Sequence, residues 1–138
     1  MKKKGMAVWI MMNHFRVARH TANLGAIERF YVDILGLKQM GTFEEEDYQG
    51  VFIGERGQTW HLEYTQSKEA PQHKPDDDDL LVFYLGDYEK YTQCVERLLE
   101  SGTESVPSKN PYWDKWGKTF LDPDGYRIVI CHRKWTNE

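Results

Sequence analysis

The sequence predicts an α+β protein built from two βαβββ modules, and three observations lead there. An order of strand, helix and three strands occurs twice. Each copy has an amphipathic helix set between an N-capping side chain and a glycine. The remaining stretches are β-rich and separated by turn-forming residues. At 138 residues, with 40% hydrophobic and 14% aromatic content, the chain has the size of one domain and enough apolar surface for a packed core.

Residues 1–12 are expected to be a flexible lead. Met1 and Lys2 to Lys4, followed by the apolar run Ala7 to Met12, imitate the start of a signal peptide. That run is short, leads into Asn13, His14, Phe15 and Arg16, and is followed by no small-residue cleavage site.

The first module is expected over residues 13–65. His14 to His20 alternates and is bounded by Thr21, Ala22 and Asn23, which gives a strand and then a good N-cap. Leu24, Ile27, Tyr31 and Ile34 recur at helical steps, with Phe30 and Leu35 widening the same stripe, and Gly36 stands where a C-terminal cap belongs. Three strands follow, at Leu37 to Glu45, Gly50 to Glu55 and Thr59 to Thr65. Arg56, Gly57 and Gln58 form the hairpin between the last two.

Residues 66–79 read as an acidic, solvated linker. They contain Pro71 and Pro75, no apolar residue larger than Ala70, and four consecutive aspartates, Asp76 to Asp79. Those aspartates account for the whole formal charge of −4. With no basic stripe elsewhere, nucleic-acid binding is not expected.

The second module is expected over 80–133, with 134–138 as a tail and the two modules making one domain. Leu80 to Leu85 is a strand. Asp87 caps a helix with Tyr88, Tyr91, Val95 and Leu98 on its apolar side, and Gly102 ends it. Strands follow near Thr103 to Val106, Gly117 to Leu121 and Tyr126 to His132. Asp122, Pro123, Asp124 and Gly125 turn between the last two, proline presetting φ and glycine supplying a positive one. The offset between copies is 64 residues at the caps Asn23 and Asp87 and 66 at Gly36 and Gly102.

Cys94 falls on a helix and Cys131 on a strand, so both are expected as buried thiols in a reducing, cytoplasmic setting. No stretch approaches the ~18 apolar residues of a membrane span.

Several strings now resemble one family. Phe30-Tyr31-Val32-Asp33-Ile34-Leu35-Gly36-Leu37 looks like the end of the first helix in the glyoxalase/bleomycin-resistance/dioxygenase (vicinal oxygen chelate) superfamily. His61-Leu62-Glu63-Tyr64-Thr65 resembles its fourth strand, and Phe120 to Tyr126 resembles the hairpin entering its last strand. The resemblance covers residues from about 13 to 133. It implies curved mixed sheets around a small-molecule cavity, and commonly a homodimer.

Metal-dependent members of that family draw His, Gln or Glu ligands from four strands, so the resemblance assigns four positions here. They fall on Arg16, Glu63, Leu80 and Val129. Only Glu63 can ligate, because leucine and valine have no lone pair and a guanidinium repels a divalent ion. No cofactor is therefore expected, and no standard metal site.

The family's strand order implies that Arg16 and Glu63 are neighbours. They form either a pair that only fastens the sheet, or an anchor for an anionic or carbonyl group of a ligand. His61 shares the Glu63 face, and His14 and His20 share that of Arg16. An altered zinc, nickel or manganese site around His61 and Glu63 is the enzymatic alternative. The stretch Asn110 to Gly117 reads as an aromatic loop, either packed against a partner or forming a flap over the cavity.

The expectation is a metal-free protein binding a small aromatic or amphipathic molecule through Arg16, His61, Glu63, Tyr84, Tyr112, Trp113 and Trp116, with a resistance or sequestration role. Two alternatives stand beside it. One is a metal-dependent lyase, dioxygenase or transferase; the other is a ligand-free structural dimer.

Overall fold

Asn23 closes the first strand and opens the first helix, its side-chain oxygen accepting from the Ala26 amide at 3.0 Å. Asp87 does the same for the second helix through Lys90. These two caps fix where sheet gives way to helix in each half of the chain. The structure, a computed structural model, describes residues 10–138. Most of the expected N-terminal lead, with its lysine run, lies outside the described residues.

The elements are β1 (Phe15–His20), α1 (Leu24–Glu28, continuing as a wider helical stretch over Arg29–Ile34), β2 (Lys38–Glu45), β3 (Tyr48–Gly54) and β4 (Trp60–Ser67). They are followed by β5 (Leu80–Tyr84), α2 (Tyr88–Glu100), β6 (Ser105–Val106), α3 (Pro111–Trp116), β7 (Gly117–Leu121) and β8 (Arg127–Cys131). One four-stranded sheet runs β1-β4-β3-β2 and the other β5-β8-β7-β6. In each, one parallel pair adjoins antiparallel neighbours: β1 with β4, and β5 with β8. The two βαβββ modules are those the sequence predicts, and neither sheet closes into a barrel.

Two local features differ from expectation. The second half of α1 is π-helical, with the Leu35 amide donating to the Phe30 carbonyl five residues back at 2.8 Å. The wider turn brings Phe30, Tyr31 and Leu35 all into the core, which explains the broad apolar stripe in the sequence. The expected aromatic loop is also ordered, as the short helix α3. Asn110 caps it and Pro111 takes its first position, where a missing amide costs nothing.

The two modules share one core. Ile27, Phe30 and Tyr31 of α1 pack in the same cluster as Leu98 of α2 and Phe120, Ile128 and Ile130 of the second sheet. Polar contacts lock it. The Tyr31 hydroxyl, fully buried, donates to Asp122 Oδ2 at 2.6 Å. Arg97 donates from Nε to the Ile34 carbonyl at 3.1 Å and from Nη2 to that of Leu35 at 2.9 Å. It thus satisfies acceptors left open at the end of α1 and places a cation at the negative end of that helix. Gly36, at φ 102°, leaves room for this, since a Cβ there would stand 3.1 Å from Arg97 Nη2.

The acidic linker is more firmly held than its composition suggests. His73 Nε2 donates to the His20 carbonyl at 2.7 Å, and its Nδ1 bonds the Tyr126 hydroxyl. Asp77 pairs with Arg127 at 3.2 Å. Cys94 and Cys131 are both buried and free. No helix among the described residues is long and apolar enough to cross a membrane.

Candidate functional site

Alternation along β1 and β4 sorts their side chains into two faces. Val17, Leu62 and Tyr64 turn to the helices and join the core. Arg16, His61 and Glu63 turn the other way, onto the open face of the first sheet. There Arg16 Nη1 donates to Glu63 Oε1 at 2.8 Å; the Arg16 side chain is 52% exposed and that of Glu63 only 11%. The guanidinium also stands over Phe52, 5.4 Å from its centroid. Parallel pairing places Arg16 opposite His61 and Ala18 opposite Glu63, which sets the two charges one diagonal apart.

His61 contacts His14, Nδ1 to Nε2 at 2.7 Å, and meets Phe52 edge-on. Burial first, then the charge of Arg16 and the nearness of His14, holds the His61 imidazole below its usual value, so the ring is neutral at pH 7. Its Nε2 is buried and has no partner among the described residues.

The four positions implied for a metal do not fit one. Arg16 is cationic and occupies the carboxylate of Glu63. Leu80 and Val129 supply no donor, and Val129 is fully buried. Among the described residues, no group of three His, Cys, Asp or Glu side chains is placed to hold an ion. The pair of His61 and Glu63, with His14 turned into the ring–ring contact, falls short of the three or four donors a zinc-type site needs.

The other expected residues lie on the second module. Tyr84, 38% exposed at the end of β5, meets Trp113 edge-on with centroids 6.1 Å apart, and Trp113 in turn meets Tyr112 at 5.0 Å. Burial raises the Tyr84 phenol above its usual value. Arg133 ties this cluster to Trp116, donating to the Tyr112 hydroxyl at 3.0 Å while stacking 4.3 Å above the Trp116 ring. Trp135, which the sequence reading did not single out, adds a further aromatic wall 6.2 Å from Tyr84. The seven expected residues thus form two groups, one on each module: Arg16, His61 and Glu63, and Tyr84, Tyr112, Trp113 and Trp116.

Between the modules runs a groove of about 770 Å³, within the range of small-molecule sites. Two expected residues border it, His61 and Tyr84, one from each group. Its apolar wall is made by Phe15, Val17 and Trp60 of the first sheet facing Leu81 and Phe83 of the second, with the rings of Trp60 and Phe83 6.3 Å apart. Its polar wall is a stripe of α2: Lys90, Gln93, Cys94 and Arg97. Sequence reasoning missed that stripe because it followed Tyr88, Tyr91, Val95 and Leu98 instead. Leu98 is buried, but Tyr88 is 64% exposed. The steps of three, one and three between residues 90, 93, 94 and 97 were the available signal.

A family model described as the YycE-like N-terminal domain matches residues 15–65, and one described as the YycE-like C-terminal domain matches 78–132. The uncharacterized protein YycE of Bacillus subtilis (strain 168) is 41% identical over 123 residues, covering 86% of this chain and 87% of the relative. The crystal structure of a YycE protein of unknown function from Bacillus subtilis matches with a TM-score of 0.82 and 38% identity, over 91% of this chain and 93% of that one. The trypanothione-dependent glyoxalase I of Leishmania major matches with a TM-score of 0.69 over 91% of this chain and 88% of its own. At 20% identity that likeness is one of fold.

Proposed function

Because the chain belongs to the YycE-like family, within the glyoxalase/bleomycin-resistance/fosfomycin-resistance group of the vicinal oxygen chelate superfamily, we propose that it binds a small aromatic or amphipathic molecule without a metal. The molecule lies in the groove between the modules, and the role is sequestration of the kind a resistance protein performs. One observation carries this: the chain keeps a ligand-sized groove while Glu63, the one metal-competent side chain among the four positions the family implies, is already paired with Arg16. A half-buried pair of this kind adds little stability over a packed apolar one.

Fold membership alone does not decide between binding and catalysis; the residues support binding. His61 lends its ring to the groove's edge, with Nδ1 taken by His14 and Nε2 buried. The aromatic surfaces of Trp60, Phe83 and Tyr84 supply stacking area with little entropy to lose.

The test is a thermal-shift screen of aromatic and amphipathic compounds, each run with and without a chelator. A binder at ~100 times its dissociation constant stabilises the protein by about 2.7 kcal/mol, and that shift should survive the chelator. A shift that needs zinc, nickel or manganese, and disappears in Glu63→Gln, would overturn the proposal in favour of a metal-dependent lyase or transferase. Silence across the screen would favour a ligand-free structural role.

A further inference from the structure

The groove has two unlike walls, and their chemistry narrows what can lie in it. We infer that its ligand is an amphipathic anion, an apolar chain or ring ending in a carboxylate or similar acid, and that Lys90 reads the acid. This rests on the groove being the binding site and adds the ligand's class.

The apolar wall offers Trp60, Leu81 and Phe83, which a hydrocarbon can cover at about 25 cal/mol per Å² of surface removed from water. Facing it, residues 90, 93, 94 and 97 of α2 fall on one helical stripe and place two cations and one amide beside the groove. Arg97 commits two of its five N–H donors to the carbonyls of Ile34 and Leu35, which holds the guanidinium against the end of α1, where it adds positive charge to the groove. Lys90 is different. Its ammonium acts on the Asp87 carboxylate through charge alone and makes no ion pair with any described residue, so its N–H donors are not taken.

Among the described residues on the groove's border Glu55 is the one acid, and it too forms no ion pair with them. Lys90 and Arg97 outnumber it, and the border is left with a net positive charge. A neutral hydrocarbon would use the apolar wall alone. An acid gains a charge-assisted hydrogen bond from Lys90 as well, about twice as strong as one between neutral groups.

The experiment titrates the protein with decanoate, decan-1-ol and decylamine below their aggregation limits, following heat and Trp60 fluorescence, with Trp60→Phe to assign the signal. Decanoate is expected to bind more tightly than the alcohol or the amine. Lys90→Gln should weaken decanoate about fivefold, the upper end for an exposed ion pair, and leave the alcohol unchanged. Lys90 is exposed and caps nothing, so this variant keeps the fold.

Equal binding of acid and alcohol, with Lys90→Gln silent, would overturn the anion inference while leaving groove binding intact. Preference for the amine would overturn it in favour of Glu55. Loss of decanoate binding in Arg16→Gln but not in Lys90→Gln would move the acid to the open face of the first sheet, and also overturn it. Failure of all three probes, with Trp60 fluorescence unmoved, would remove the groove-binding proposal itself.

Discussion

At Arg16 the guanidinium holds Glu63 at 2.8 Å while keeping about half of its own side chain in water. The pair is therefore neither a free surface bridge nor a sealed one, and its worth lies between those limits. Arg16→Ala is expected to cost about 1–2 kcal/mol in urea unfolding, because Glu63 stays mostly buried and loses its counter-charge. Adding Glu63→Gln should recover part of that loss, since a neutral amide needs no cation.

His61 is a titrating neighbour of that pair. Its value in the folded protein lies below the 6.5 of a free imidazole, mainly through burial. On the acid side of 6.5 the unfolded chain therefore takes up a proton that the folded one refuses. The stabilisation from this site is complete above about 6.5 and is lost as the pH falls through that window towards the folded value. His61→Gln, which does not titrate, should flatten the acid-side fall in melting temperature measured from about pH 7 to about pH 5.

Among the elements, the caps and turns were legible because their signals are local. Asn23, Asp87, Gly36, Gly102 and the Asp122–Gly125 turn each act through neighbours within five residues. The π-helical half of α1 was not, since the same apolar residues serve an ordinary helix and only tertiary packing decides. Helix α3 escaped because six residues cannot display a period, although Asn110 before Pro111 was a sufficient start signal.

The turn at Asp122 does more than reverse the chain. Its Oδ1 accepts from the amides of Asp124 and Tyr126 and its Oδ2 from the Tyr31 hydroxyl, so one carboxylate joins the hairpin of the second module to the helix of the first. Burial raises the Asp122 carboxyl above its usual value even against those bonds. Tyr31→Phe removes a donor from this buried acceptor and is expected to cost about 1–3 kcal/mol, read by chemical denaturation.

For the whole molecule, what matters is how the halves meet, and there the sequence was least informative. The neighbouring of Arg16 and Glu63 could be anticipated because the family's strand order puts β1 beside β4. The groove could not, since Phe15 and Trp60 come from one module and Leu81, Phe83 and Lys90 from the other. No local pattern reports that juxtaposition. The same holds for Arg97, which reaches from α2 to the carbonyls closing α1. Arg97→Ala should destabilise the protein by about 2 kcal/mol in guanidinium or urea titration, through the loss of two charge-assisted bonds.

The proposed metal-free binding requires that Glu63, held by Arg16, retains no metal. The most direct measurement is elemental analysis of the protein purified from medium supplemented with zinc, nickel and manganese, after extensive dialysis. Far less than one metal ion per chain is expected, with no change in Glu63→Gln. A stoichiometric metal that the wild-type protein retains and Glu63→Gln loses would contradict the proposal.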